Sequence, residues 1–301
     1  MLIGGDRLPV IENIREAAEA GDFYRKVEVN DPMLTDAEAK AITDGYIKSR
    51  NTAGYKFRSF FARRIADAAA WAVNRDTEII GAEKLPELSK GAIVTSNHFG
   101  PLENTVIRRM VKKHYGGVFN RRLFIVSQVT NFAMGGFIGY LMNYADTVPL
   151  STDFRYLTGD FTGVLHDITE KNGIVLIYPE QEMWFNYKKP RPLKRGAYHF
   201  AAKLGVPLIS CFVEMIDTGK PESDPNFTKV RYRLHILDVL YPDTSAPVKD
   251  ESVRLCKLDY ELKKEAYERA YGKPLDYRFD ESDIAGYIKR EEEPCEKTSP
   301  A

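Results

Sequence analysis

His98 and Glu103 stand five residues apart in Ser96-Asn97-His98-Phe99-Gly100-Pro101-Leu102-Glu103-Asn104, just past the strand-like run Ala92-Ile93-Val94-Thr95. An imidazole titrates near neutral pH. A carboxylate beside it fixes its tautomer and stabilises the imidazolium formed when a proton is taken. The two residues are therefore a candidate general base and its partner. Pro101 suits the first turn of a helix, which would put Glu103 inside that turn. Taken alone, the spacing equally describes a surface-loop histidine followed by a glutamate that favours a helix N-terminus.

Two further elements stand downstream. Ile177-Tyr178-Pro179-Glu180-Gln181 closes the apolar run Gly173–Ile177, and Lys194-Arg195-Gly196-Ala197 leads to Gly205-Val206-Pro207. In this order and spacing the three elements resemble the glycerolipid acyltransferase family, which includes lysophosphatidate and lysophospholipid acyltransferases. The resemblance covers about residues 77 to 240. It implies transfer of a fatty acyl group from an acyl thioester, acyl-CoA or acyl carrier protein as co-substrate, to a hydroxyl of a lysophospholipid-like acceptor. His98 would be the base and Glu103 its partner. Tyr178, Pro179 and Glu180, with Arg155, Lys194 and Arg195, would bind substrate, and neither metal nor resident cofactor is required.

Three departures from the family pattern matter. Glu103 replaces the usual Asp, adding one methylene and one rotatable bond. Tyr178 and Gln181 stand where the family has Phe and Gly. In Asp146-Thr147-Val148-Pro149-Leu150-Ser151-Thr152, Thr152 replaces the arginine assigned to acceptor phosphate, and Arg155 follows three residues on. A non-catalytic lipid-binding relative is the alternative that the Glu103 and Thr152 departures favour. A serine hydrolase fits poorly, because there is no Gly-x-Ser-x-Gly elbow.

These residues need a scaffold. Apolar runs at 92–95, 123–127, 147–150, 174–178, 207–213 and 230–239 alternate with helix-like segments at 101–114, 131–143, 153–170 and 196–204. That rhythm predicts an α/β fold, a mostly parallel central sheet covered by helices. The expected organisation is an N-terminal helical extension (1–76), an acyltransferase domain (77–245), a C-terminal helical segment (246–290) and a disordered tail (291–301).

A helix over Asn51–Val73 carries Phe57, Phe60, Phe61, Ala68 and Trp71 on one broad face flanked by Lys56, Arg58 and Arg63. It reads either as packed on the core or as lying on anionic lipid. The cluster Trp184-Phe185-Asn186-Tyr187 and the segment Phe132–Met142 each suit either core packing or contact with an acyl chain or interface. Basic clusters, Arg108, Arg109, Lys112, Lys113, Arg121 and Arg122, then Lys188, Lys189, Arg191, Lys194 and Arg195, are either solvated surface or phosphate-binding groups.

Bulk properties narrow the class. In 301 residues, 43 basic side chains balance 43 acidic ones, so no field points to nucleic acid. Three widely separated cysteines suggest neither a disulfide framework nor a zinc site. The first residues lack the pattern of a secretory signal, and no run approaches the ~20 apolar residues that span a bilayer. The expected setting is cytoplasmic, peripheral to the membrane surface.

Overall fold

The computed structural model describes residues 7–29, 32–116 and 121–288. Among them, seven strands form one sheet: β1 Glu78–Ile80, β2 Ala92–Thr95, β3 Leu123–Gln128, β4 Thr147–Leu150, β5 Ile174–Ile177, β6 Leu208–Pro221 and β7 Thr228–Leu240. Their spatial order is β1-β7-β6-β2-β5-β3-β4. Every neighbouring pair is parallel except the β6–β7 hairpin. The helices are α1 Arg7–Glu19, α2 Asp36–Ser49, α3 Ala53–Val73, α4 Asn104–Tyr115, α5 Gly136–Tyr144, α6 Phe154–Tyr156, α7 Thr162–Glu170, α8 Gly196–Leu204 and α9 Val248–Tyr271. The expected α/β class with a mostly parallel sheet is thus the observed one.

The strand period of two sorts the core. Ile93 and Val175 face one side, packing with Leu165 and Ile168 of α7, Tyr198 and Ala201 of α8 and Leu255 of α9. Ala92, Val94, Ile174 and Leu176 face the other, against Val106, Ile107 and Met110 of α4. All four β2 residues are buried, as expected for a strand covered on both faces. A third cluster ties α1, through Ile14 and Ala17, to Trp184, Tyr187, Phe227 and Ile284.

Several expectations change. β1 was not marked by the sequence pattern, because three residues carry no alternation long enough to read. β6 runs to Pro221, well past the expected 213, since the hairpin continues beyond the layered part of the sheet. Residues 101–103 form a turn, so α4 begins at Asn104 and Pro101 is not helical. The expected 131–143 helix divides into a 3₁₀ turn over Val129–Ala133 and α5. A π-helical turn, Leu157–Phe161, joins α6 to α7. The proposed tail at 291–301 lies outside the described residues.

The structure also decides how α3 packs. Its buried residues are the small ones, Ser59, Ala62 and Ala70, which let the helix approach α4 and α5 closely. Tyr55 donates to the Asn143 carbonyl at 3.0 Å, and Asp67 accepts from Arg108 at 3.2 Å. Phe57 remains 66% exposed, Phe60 44%, Phe61 47% and Trp71 59%. The aromatic face is therefore not the face that packs on the core.

Candidate active site

The site is built at the carboxyl end of β2, near the middle of the sheet, where ligands bind in open parallel sheets. Past Thr95 the chain stays buried for two residues. Asn97 pins it there: its amide donates to the Val213 carbonyl at 3.0 Å, and its oxygen accepts from the Val213 amide at 2.8 Å. One side chain thus replaces a pair of ladder bonds to β6, just as β2 ends.

His98 follows, its side chain 20% exposed. Its Nδ1 makes a short contact with Glu103 Oε1. The other carboxylate oxygen accepts from the amides of Phe99 and of Gly100, the latter at 2.8 Å. Glu103 is buried, and both its oxygens are engaged. It sits just before α4, where the helix dipole also favours its charge. The extra methylene relative to Asp lets one carboxylate span the imidazole and two amides of the preceding turn. With Nδ1 so held, Nε2 is the nitrogen left for chemistry, and it carries no hydrogen bond among the described residues. Tyr178 stacks on the imidazole, ring centroids 4.2 Å apart and planes 8° from parallel. Burial, and then the nearby Glu103 carboxylate, push the Tyr178 phenol well above its ordinary range, so it stays protonated.

Glu180 holds the loop from behind. It accepts from the His98 amide at 3.2 Å, the Arg191 amide at 3.1 Å and the Arg191 guanidinium at 3.1 Å. Both side chains are buried. Burial pushes the Glu180 carboxyl up and the Arg191 guanidinium down, each opposed by the other's charge. The backbone joins in: the amides of Trp184 and Asn186 donate to the His98 and Phe99 carbonyls at 3.1 and 2.8 Å. Gln181, where the family has glycine, adopts φ +68°. That left-handed conformation costs a non-glycine residue roughly 1–2 kcal/mol.

Beneath the site lies a charge pair that the sequence did not suggest. Asp259 and Lys263 of α9 are fully buried and paired. Asp259 also accepts from the hydroxyls of Thr95, Tyr198 and Ser210, and Lys263 donates to Thr95 at 3.0 Å. The i, i+4 spacing that places both on one helix face was visible. What was not visible is that this face turns inward.

Of the expected substrate-binding residues, Tyr178, Pro179 and Glu180 adjoin His98, with Pro179 accepting from the Lys194 amide at 2.8 Å. Lys194 and Arg195 are exposed at the start of α8, and the Lys194 ammonium lies 3.5 Å from the Tyr24 ring centroid. Arg155 is exposed on α6, after edge strand β4. β4 lies three strands from β2, ~14 Å at ordinary strand spacing. Trp184 and Tyr187 are core residues, which settles the aromatic cluster, whereas Phe137 in the 132–142 segment is 59% exposed. The basic clusters are not uniformly solvated. Lys189 is buried against Asp283 at 2.7 Å, Arg191 against Glu180, and Arg121 bonds the carbonyls of Lys90 and Asn172. Among the described residues, no group of three or more His, Cys, Asp or Glu could hold a metal ion, and no helix is long and apolar enough to cross a membrane.

No curated protein matches the chain. Among solved structures, it is similar to the 1-acyl-sn-glycerophosphate (LPA) acyltransferase PlsC from Thermotoga maritima. Identity is 19% and the TM-score 0.47, over 80% of this chain and 96% of that one. A family model described as Acyltransferase matches residues 76–214, a span that contains His98, Glu103, the Tyr178–Glu180 element and Lys194–Arg195. Residues 76–214 therefore match a family whose general chemistry is acyl transfer.

Proposed function

We propose that the protein transfers a fatty acyl group from a thioester, of coenzyme A or of acyl carrier protein, to a hydroxyl of a lysophospholipid-like acceptor. The observation that carries this reading is the His98–Glu103 pair, with Nδ1 engaged and Nε2 open. His98 Nε2 takes the acceptor's hydroxyl proton as that oxygen attacks the thioester carbonyl. The tetrahedral oxyanion then collapses, the C–S bond breaks, and the imidazolium returns the proton to the thiolate. Glu103 stabilises the imidazolium, and its bonds to the Phe99 and Gly100 amides set its position before substrate arrives. Those two amides are consumed by Glu103, so the oxyanion is met by other donors. Exposed Lys194 and Arg195 beside the Tyr178–Glu180 loop, and Arg155 across the sheet end, are suited to substrate phosphates.

The acceptor is reached from the membrane surface. The exposed row Phe57, Phe60, Phe61, Ile65 and Trp71 on α3 supports this, since large rings with arginines beside them suit the headgroup boundary.

Exchanging the partner carboxylate tests the mechanism. Glu103→Gln should lower kcat by on the order of 10²-fold or more, because a neutral amide cannot stabilise the imidazolium. It should also cost about 1–3 kcal/mol of stability, since buried donors lose a charged acceptor. Glu103→Asp should keep measurable activity, reduced because the shorter side chain cannot reach both the imidazole and the two amides. Full activity in the Gln variant, measured against lysolipids with both donors, would remove Glu103 from the mechanism.

A further inference from the structure

At the opposite end of the sheet, α3 and α4 meet the starts of β3 and β4 around a cleft of about 150 Å³. Leu123 there is in register with Ile174, as is Ala92, which lies six residues before His98, ~20 Å of extended chain away. The cleft is therefore not the catalytic centre.

Its lining is lopsided in charge. Six cationic side chains, among them Arg63, Arg64, Lys112 and Arg122, surround two carboxylates, Asp67 and Asp146. Both carboxylates are already engaged. Asp146 is buried and bonded by Arg122, with Ser59 at 3.3 Å and Arg63 at 3.8 Å. Asp67 takes Arg108 at 3.2 Å and Lys112 at 3.7 Å. Arg63 Nε is buried without a hydrogen-bond partner. The Arg64 guanidinium lies 5.2 Å from the Phe60 ring centroid and forms no ion pair among the described residues. Burial and the neighbouring Arg122 charge hold the Arg63 guanidinium below its ordinary range, the crowding an added anion would relieve. Phe60 belongs both to the cleft and to the exposed aromatic row of α3, so apolar surface and surplus cations share one rim.

We infer that this cleft binds the phosphate headgroup of an anionic phospholipid, clamping α3 to the membrane at a site separate from the acceptor's. The occupant is a lipid and not a soluble phosphate, because the cations open beside exposed aromatic rings that a soluble anion would leave in water. The inference rests on the membrane-surface reading above, and the test separates the two.

The test is co-sedimentation of the full chain with vesicles of phosphatidylcholine alone or containing phosphatidylglycerol, using wild type and an Arg64→Gln/Lys112→Gln double variant. Both side chains are exposed, and a Lys203→Gln/Lys229→Gln variant, changed at exposed sites elsewhere, controls for net charge. Wild type should prefer the anionic vesicles, less so at high salt. The Arg64/Lys112 variant should lose that preference by about fivefold per cation removed while keeping its weaker binding to phosphatidylcholine. The control variant should bind like wild type. If the Arg64/Lys112 variant keeps the preference, or the control loses it equally, the cleft is not the site, and membrane binding stands. If wild type binds neither vesicle, the membrane reading fails and takes the cleft with it. If inorganic phosphate or coenzyme A stabilises wild type through Arg64 and Lys112 while vesicles do not bind, the occupant is a soluble anion and the lipid assignment is overturned.

Discussion

His98→Ala should lower the rate of acyl transfer by on the order of 10² to 10⁴, the usual consequence of losing a positioned general base. That corresponds to about 3–5 kcal/mol of barrier. The fold should survive, because the His98 backbone is held independently of its ring. Its amide donates to Glu180, and its carbonyl accepts from Trp184. Glu103 keeps its bonds to the Phe99 and Gly100 amides. What is lost is the stack on Tyr178 and one contact to Glu103, together about 1–4 kcal/mol. The measurement is kcat of the purified variant beside its melting temperature. Wild-type turnover in a folded variant would mean that the open Nε2 is not the base.

Asp259→Ala should destabilise the protein by about 3–5 kcal/mol, a large share of the 5–15 kcal/mol that domains commonly possess. Four donors converge on this carboxylate: the Thr95, Tyr198 and Ser210 hydroxyls and the Lys263 ammonium. Removing it leaves a fully buried cation whose one remaining side-chain bond among the described residues is to Thr95. Replacing both charges, as Asp259→Leu/Lys263→Met, should restore much of the loss, because no unpaired charge then remains. Denaturant unfolding of the single and double variants measures this. A single variant within about 1 kcal/mol of wild type would show that water or rearrangement reaches the site. α9 lies beyond the matched residues 76–214, so a large effect would also show that this region depends on a helix outside it.

Much of this was legible in the sequence for physical reasons. β2, β4 and β5 are continuous apolar runs because both faces are covered, and such runs can be read directly. α8 is bounded as expected, by Gly196 and by Gly205 at φ +62°, a left-handed helix stop. The His98–Glu103 spacing pointed to a pair that the turn over 101–103 does bring together. Other features depend on partners distant in the chain. Nothing in Asn97 announces that it will bond Val213, 116 residues on. Glu180 was expected to bind substrate, and its bonds to the His98 and Arg191 amides, 82 and 11 residues away, could not be read from the sequence. α3 was left open between two readings because amphipathicity locates an apolar face without saying what covers it. The helix packs through Ser59, Ala62 and Ala70, a face too small to register as hydrophobic.

The most direct test of the account is thiol release from an acyl thioester by the purified protein, with and without a lysophospholipid acceptor. Thiol release should depend on the acceptor, match acylated product one for one, and be abolished in His98→Ala. Thiol release that ignores the acceptor, or none with any acceptor and either donor, would contradict it. The first result would describe a thioesterase, and the second a lipid-binding protein that keeps the fold without the chemistry.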